Sequence, residues 1–472
     1  MTTPTPSATA GRVPPTAPAP SSPGQQTGIP ATSAPGRGDA NAQPQPETSN
    51  EGGVPGRLGA VRASLRAGLA GTPGRLRGLA ALTVLATLLF GLAAGQAFRA
   101  ADGAIVRAAA NSDQLVRMQA IQTRVVQADA DATNAFLVGG LEPPAQRADY
   151  TAAITSASQL IAEAAQHQPA DGPALGALNQ ELVAYASEIE QARANNRQAL
   201  PVGAQYLKDA SANLRSDALP LLKNLVDANN QRVAEEFDNA GRASLWLVVA
   251  GLLTLLVLVL GLVWLARRTR RYVNVPLAAA ALIVLVTLVL GALGLTRVSS
   301  RVDAARDGVY AATLSTAQAR IAGFDAKSNE SLTLIARGSG SAFEKAWQAS
   351  SAAVTAELTE LGHNPASSGL ATLPWSDYTS VHKQIRTLDD SGDWEGAVEL
   401  ATGTGQGTSN AAFGSFSTSS GEQLAGLSDQ TAQQLDQARR WLPLGGALGV
   451  LAGVLAALGA WRGVSQRLEE YR

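Results

Sequence analysis

Four stretches of this chain run for more than 20 residues without a charged side chain: Gly78–Phe98, Ala243–Ala266, Tyr272–Thr296 and Trp441–Trp461. At 1.5 Å of rise per residue, about 20 helical residues cover the roughly 30 Å hydrocarbon layer of a membrane. Buried core helices are usually shorter and keep a polar stripe. The runs therefore predict four transmembrane helices in a lipid bilayer. Trp246, Trp264, Trp441 and Trp461 stand near the ends of their runs, where aromatic rings favour the interface. The first run starts too late and is too long for a cleaved signal peptide, and reads as a signal anchor. Runs two and three are joined by Arg267-Arg268-Thr269-Arg270-Arg271. Short arginine-rich loops stay in the cytoplasm, whereas long loops cross largely regardless of charge. Both termini are thus expected inside the cell and both long loops outside, in a multi-pass protein of the plasma membrane.

The expected order follows: a cytoplasmic tail at 1–56, a basic juxtamembrane segment at 57–77, and spans at 78–98, 243–266, 272–296 and 441–461. An inner loop at 267–271, outer helical bundles at 99–242 and 297–440, and a cytoplasmic tail at 462–472 complete it. The first tail is Pro, Ala, Ser, Thr and Gly with almost no large apolar side chains, so it is expected to be disordered. Segment 57–77 fits either an amphipathic helix on the inner membrane surface or a flexible linker with stop-transfer charges.

The two outer loops are each 144 residues long and sit between two spans, which suggests duplication. At an offset of 196, Gln122, Arg124, Asp129 and Ala130 match Gln318, Arg320, Asp325 and Ala326. Tyr150 faces Trp347 at 197, and Tyr185 matches Tyr378 at 193. Met118, Ile121, Val125, Ala128, Ala132, Ala135 and Gly139 alternate in steps of three and four, a coiled-coil-like seam. Leu314, Ala317, Ile321 and Phe324 repeat its first half. Breakers at Gly139–Pro144, Pro169–Pro173 and Pro201 divide the first loop into four helices. Breakers near Gly338–Gly340, Gly362–Pro374 and Gly392 divide the second, with Thr402–Ser420 expected to be frayed. The fold class expected is all-α: four spans and two extracytoplasmic four-helix bundles related by internal duplication.

Gln122 and Asp129 share one helix face beside the seam, and Gln318 and Asp325 repeat that placement, accompanied by Arg124 and Arg320. The pattern fits inter-helix hydrogen bonds that fix bundle register; the functional alternative is a ligand or partner site at the bundle edge. The Tyr150/Trp347 and Tyr185/Tyr378 pairs read as bundle core. Small-residue spacing at Gly91 and Gly95, and at Gly445, Gly449 and Gly453, suits close packing of membrane helices, within one chain or in a homodimer.

Catalytic motifs are missing. There is no GxxxxGK[ST] loop, GxSxG elbow or HExxH pair, and the chain has no cysteine. His167, His363 and His382 are not spaced as metal ligands and read as surface or loop residues. No cofactor is expected, and the net charge of −1 gives no reason to expect nucleic acid. The spans contain no Asp, Glu, Lys, Arg or His, which argues against a coupled transporter. A non-enzymatic sensor fits better. The five-residue inner loop and eleven-residue tail could then only pass a signal to a separate cytoplasmic protein.

Span, outer bundle and span, repeated about an arginine-rich inner loop, resembles tandem chemoreceptor-type four-helix sensor modules. The whole plan over residues 57–472 looks like the actinobacterial GlnX-like membrane proteins. That resemblance implies a signal from an extracytoplasmic amino-acid-binding lipoprotein, passed to a cytoplasmic Ser/Thr kinase of the protein kinase G type. The competing expectation is a structural or scaffolding protein of the cell envelope that senses no ligand.

Overall fold

The computed structural model describes residues 72–138, 142–269 and 274–469. The expectations for the tail at 1–56, for the basic segment before residue 72 and for the loop beyond residue 269 lie outside these residues, as does Tyr272. Every long element is helical: α1 (Thr72–Val138), α2 (Pro144–His167), α3 (Gly172–Arg197), α4 (Val202–Asn213), α5 (Leu219–Thr269), α6 (Val275–Ala305), α7 (Ala311–Ile335), α8 (Ser341–His363), α9 (Trp375–Asp390), α10 (Trp394–Thr402), α11 (Ser409–Arg439) and α12 (Leu442–Glu469). No strand occurs among the described residues.

Four helices are long and apolar enough to cross a membrane: Gly74–Val138, Val202–Arg267, Val275–Ile335 and Ser409–Gln466. The second and third stay continuous through single π-type turns, Leu214–Ala218 between α4 and α5 and Arg306–Tyr310 between α6 and α7. The fourth is interrupted at Arg440–Trp441, just ahead of Pro443, whose missing N–H ends the α11 hydrogen-bond ladder. The last span is therefore entered through a turn.

The apolar stretches pack in a ring, α1 beside α5 and α12, and α6 beside α5 and α12. Their outer faces carry large exposed apolar side chains such as Leu82, Leu92, Leu253, Leu290 and Leu458. A water-soluble protein does not expose so continuous an apolar belt, and lipid is the solvent that suits it. Glycine sets the closest approach. A Cβ on Gly91 would lie 2.8 Å from the Gly453 Cα, and one on Gly453 would meet the Gly91 backbone. Side chains on Gly95, Gly445 and Gly449 would press into Val450, Phe98 and Ala94. The two small-residue motifs thus face each other across the α1–α12 contact. Gly453→Leu should force these helices apart and weaken the span assembly by about 1–3 kcal/mol, read as a lower unfolding midpoint in detergent.

On one end of this ring the helices continue into two four-helix bundles. Bundle one is built from the outer half of α1, α2, α3 and α4–α5. Met118, Ile121, Val125, Ala128 and Ala132 form its seam, packed on Leu178, Leu182, Tyr185 and Leu207. Bundle two is built from α7, α8, α9–α10 and α11 around Phe324, Trp347, Tyr378, Phe413 and Phe416. Tyr150 and Tyr185 lie in the first core, Trp347 and Tyr378 in the second. Among the described residues, the helix breaks at 168–171, 198–201, 336–340, 364–374 and 391–393 fall at the Gly/Pro positions the sequence marks, while Gly139 and Gly140 lie outside the described residues. Thr402–Ser420 is a correction: only residues 403–408 form a loop, and α11 begins at Ser409, whose hydroxyl is buried against Glu330.

The bundles are not independent. The first helix of one, α1, lies against the first helix of the other, α7. Val126 and Ala130 of α1 belong to the aromatic core of bundle two, and Leu137 packs with Leu334 and Ile385. Polar bonds join the far ends, where Asn410 donates to the Asn134 Oδ1 at 3.1 Å.

Candidate functional site

The seam that fills bundle one leaves the other faces of α1 free to meet α7, and the duplicated polar residues fall on that junction. Asp129, 1% exposed, accepts hydrogen bonds from the Ser211 hydroxyl at 2.5 Å, the Tyr185 hydroxyl at 3.3 Å and, across the junction, the Ser328 hydroxyl at 2.6 Å. Its repeat mate Asp325 accepts from Ser350 at 2.6 Å and Asn329 at 3.1 Å. One guanidinium links the two carboxylates: Arg215 lies 3.0 Å from Asp129 Oδ2 and 2.9 Å from Asp325 Oδ1. Burial works against the Arg215 charge, but both carboxylates outweigh it and hold its pKa above the ordinary value. The ring of partners ties α1, α3, α4 and the π turn to α7 and α8.

Arg215 sits in the π turn Leu214–Ala218. Such turns shift the helical register by a fraction of a turn and are frequent at functional sites. Here the shift lies where the α4–α5 helix meets both acids.

Beside this network lies an open cleft of about 1140 Å³ between the bundles. Gln122 and Val126 of α1, Gln318 and Ile321 of α7, and Phe343 and Ala346 of α8 contribute to its wall, with Arg215 and Asp325 at the polar end. The structure therefore brings Gln122, Gln318, Asp129 and Asp325 to one place. It puts Arg124 and Arg320 elsewhere: Arg124 donates to Gln127 at 2.8 Å, and Arg320 donates to the Ser417 carbonyl and, at 2.6 Å, to the Ser420 hydroxyl. Burial, with the Arg124 charge nearby, brings the Arg320 pKa down to about 10.

A second polar cluster lies inside bundle two, and it corrects the expectation for one histidine. His167 and His363 are exposed, but His382 is 1% exposed. Its Nδ1 is 2.9 Å from Glu330 Oε2 and its Nε2 3.3 Å from Glu344 Oε2. Its ring stacks on Trp347 with centroids 3.5 Å apart. Lys327 donates to Glu330 at 2.8 Å and to Ser409 at 2.6 Å. Tyr378, His382 and Ile385 share one face of α9, the spacing by which burial of His382 could have been foreseen.

Asp131 adds a half-buried carboxyl, with its Oδ2 shielded and lacking a hydrogen-bond partner among the described residues. Burial, reinforced by Asp149, raises its pKa to about 8. A carboxyl whose folded pKa exceeds its unfolded value of 3.8 takes up a proton on folding. Stability then falls as pH rises from about 4 towards 8. Asp131→Asn should raise the unfolding free energy at pH 7 by about 1–3 kcal/mol and flatten that slope; melts at pH 5 and pH 8 check both.

No group of three or more His, Asp or Glu side chains arranged for a metal ion occurs among the described residues. Neither the curated proteins nor the solved structures contain a match to this chain. Residues 104–238 match the family model of the actinobacterial sensor domain. That stretch covers bundle one, with the α1 and α4–α5 walls of the cleft and both Asp129 and Arg215. The chain is thus a membrane protein with four span-forming helices whose first bundle is similar to the actinobacterial sensor domain.

Proposed function

We propose that this protein is a transmembrane receptor whose paired outer bundles take in an amino-acid-related signal at their shared cleft and relay it to a separate cytoplasmic partner. The single observation behind the proposal is the Asp129–Arg215–Asp325 network. It joins the two bundles at a cleft walled by α1, α4–α5, α7 and α8, and the first three of these run on into the spans. From Gln122 to Phe98 is about 36 Å of helix, and from Arg215 to the second span about 42 Å, at 1.5 Å per residue. A change in how the bundles meet is carried by stiff rods to the other side of the membrane. Packed helices hold discrete arrangements, so small shifts are switched rather than absorbed. The π turns at Leu214–Ala218 and Arg306–Tyr310 are the points where register can change at least cost.

In this reading both termini and the Arg-rich loop are cytoplasmic. An amino-acid-binding lipoprotein delivers the signal outside, and a Ser/Thr kinase receives it inside. The test uses a photo-crosslinking residue at Asp209, an exposed position on the cleft rim, in cells. Capture of an amino-acid-binding lipoprotein, in a yield that changes with the amino acid supplied, is the expected result. If crosslinks are insensitive to amino acids and kinase activity is unchanged when Asp129 and Asp325 are both replaced by alanine, a scaffolding role in the envelope replaces the receptor.

A further inference from the structure

The wall of the cleft contains one group that its surroundings leave unanswered. Gln119 is 3% exposed, lines the cleft, and its Oε1 has no hydrogen-bond partner among the described residues. A shielded acceptor without a donor bears its desolvation penalty with no hydrogen bond to offset it. Gln122, Gln318 and Asn329 contribute further amide groups to the same wall.

Charge points the same way. The cations and carboxylates that line the cleft cancel in number, and Asp129, directly behind the wall and shared with Arg215, tips the site negative. The remaining surface is apolar: Val126, Ile321, Phe343, Ala346 and Ala349 face the space. Its volume of about 1140 Å³ lies slightly above the roughly 300–1,000 Å³ usual for small-molecule sites, so a small ligand would occupy part of it. An apolar wall with an excess acceptor and an excess negative charge at one end suits a molecule with an N–H-bearing cation on an apolar body.

We propose that the inter-bundle cleft binds a small organic ammonium compound, its N–H donors directed at Gln119 and the Asp129–Arg215–Asp325 network and its apolar part against α7 and α8. This rests on the reading of the cleft as the receptor face and adds the chemistry of the ligand. Binding on this pattern bridges the bundles at the point where their register is fixed.

The experiment is titration calorimetry on the full-length protein in lipid nanodiscs. The probe is 2-phenylethylamine, with 2-phenylethanol and 3-phenylpropanoate as neutral and anionic counterparts. The amine should bind at least 10-fold more tightly than either. Gln119→Leu, which removes the acceptor, and Ala349→Trp, which fills the cleft from an exposed position on α8, should each weaken the amine at least 10-fold. Asp390→Asn, an exposed carboxylate outside the cleft that pairs with Arg386, should leave it unchanged. Equal binding of alcohol and amine, no amine binding, or affinity insensitive to both cleft variants overturns the proposal. Failure here with lipoprotein capture intact at Asp209 removes the ammonium chemistry alone. Amine binding without lipoprotein capture or a kinase response removes the receptor reading and leaves the site.

Discussion

Arg215→Ala should lower the unfolding free energy by about 3–5 kcal/mol, the usual cost of removing one partner from a buried ion pair. The cost arises mostly on the acid side. Asp129 is 1% exposed and would be left with hydroxyl donors alone, while Asp325 would lose its cation and keep Ser350 and Asn329. Because Arg215 reaches both bundles, the variant should also separate their melting, so that one thermal transition in detergent becomes two. Arg215→Lys should recover only part of the loss, since a single ammonium cannot present a planar fork to two carboxylates. Adding Asp129→Asn to Arg215→Ala should recover stability by relieving the unpaired charge. A double variant as unstable as the single one would show that the cost lies in lost packing and not in electrostatics.

The same residue marks the limit of what the sequence reveals. Asp129 and Asp325 stand out because they repeat at a fixed offset beside an apolar seam, and their meeting follows from the pseudo-symmetry of α1 against α7. Arg215 has no counterpart in the second loop at offsets of 193 to 197, so no repeat points to it. Its partners lie 86 residues before it and 110 after it in sequence, which only the tertiary fold brings together. The spans were legible because a run without charge has few alternatives in water. The bundle breaks were legible because Gly and Pro end helices by local chemistry. The π turns carry no such signature. Residues 214–218 and 306–310 read as ordinary helix from their apolar spacing, and the wider turn appears only in the structure. Thr402–Ser420 misleads for a related reason: its small polar composition is that of a loop, but Ser409, Phe413, Phe416 and Ser420 are buried on one face of α11.

Lys327→Met is the second substitution expected to cost about 3–5 kcal/mol, and its effect should depend on pH through His382. Glu330 is fully buried among Lys327, His382 and Ser409. Burial alone would raise its pKa, but attraction to Lys327 and the bond from His382 overcome this and bring it down to about 2. Burial likewise opposes the His382 charge, while hydrogen bonds to Glu330 and Glu344 outweigh it and raise its pKa above 6.5. The signs then differ for the two groups. Glu330 contributes fully above its unfolded value near 4.5 and loses that contribution as pH falls towards 2. His382 contributes fully below about 6.5 and loses its contribution as pH rises through the higher folded value. The cluster is therefore most stabilising between about pH 4.5 and 6.5. Without Lys327, His382 is the remaining cation on Glu330, so the variant should be most impaired on the alkaline side, where the imidazolium deprotonates. His382→Gln in the wild-type background should lower stability at pH 6 and remove part of the decline towards pH 9. Thermal melts of the three proteins across pH 5 to 9 separate these effects. A Lys327→Met deficit that stays constant through the His382 titration would mean that the imidazole ring serves as a packing partner of Trp347 and carries no charge in the folded protein.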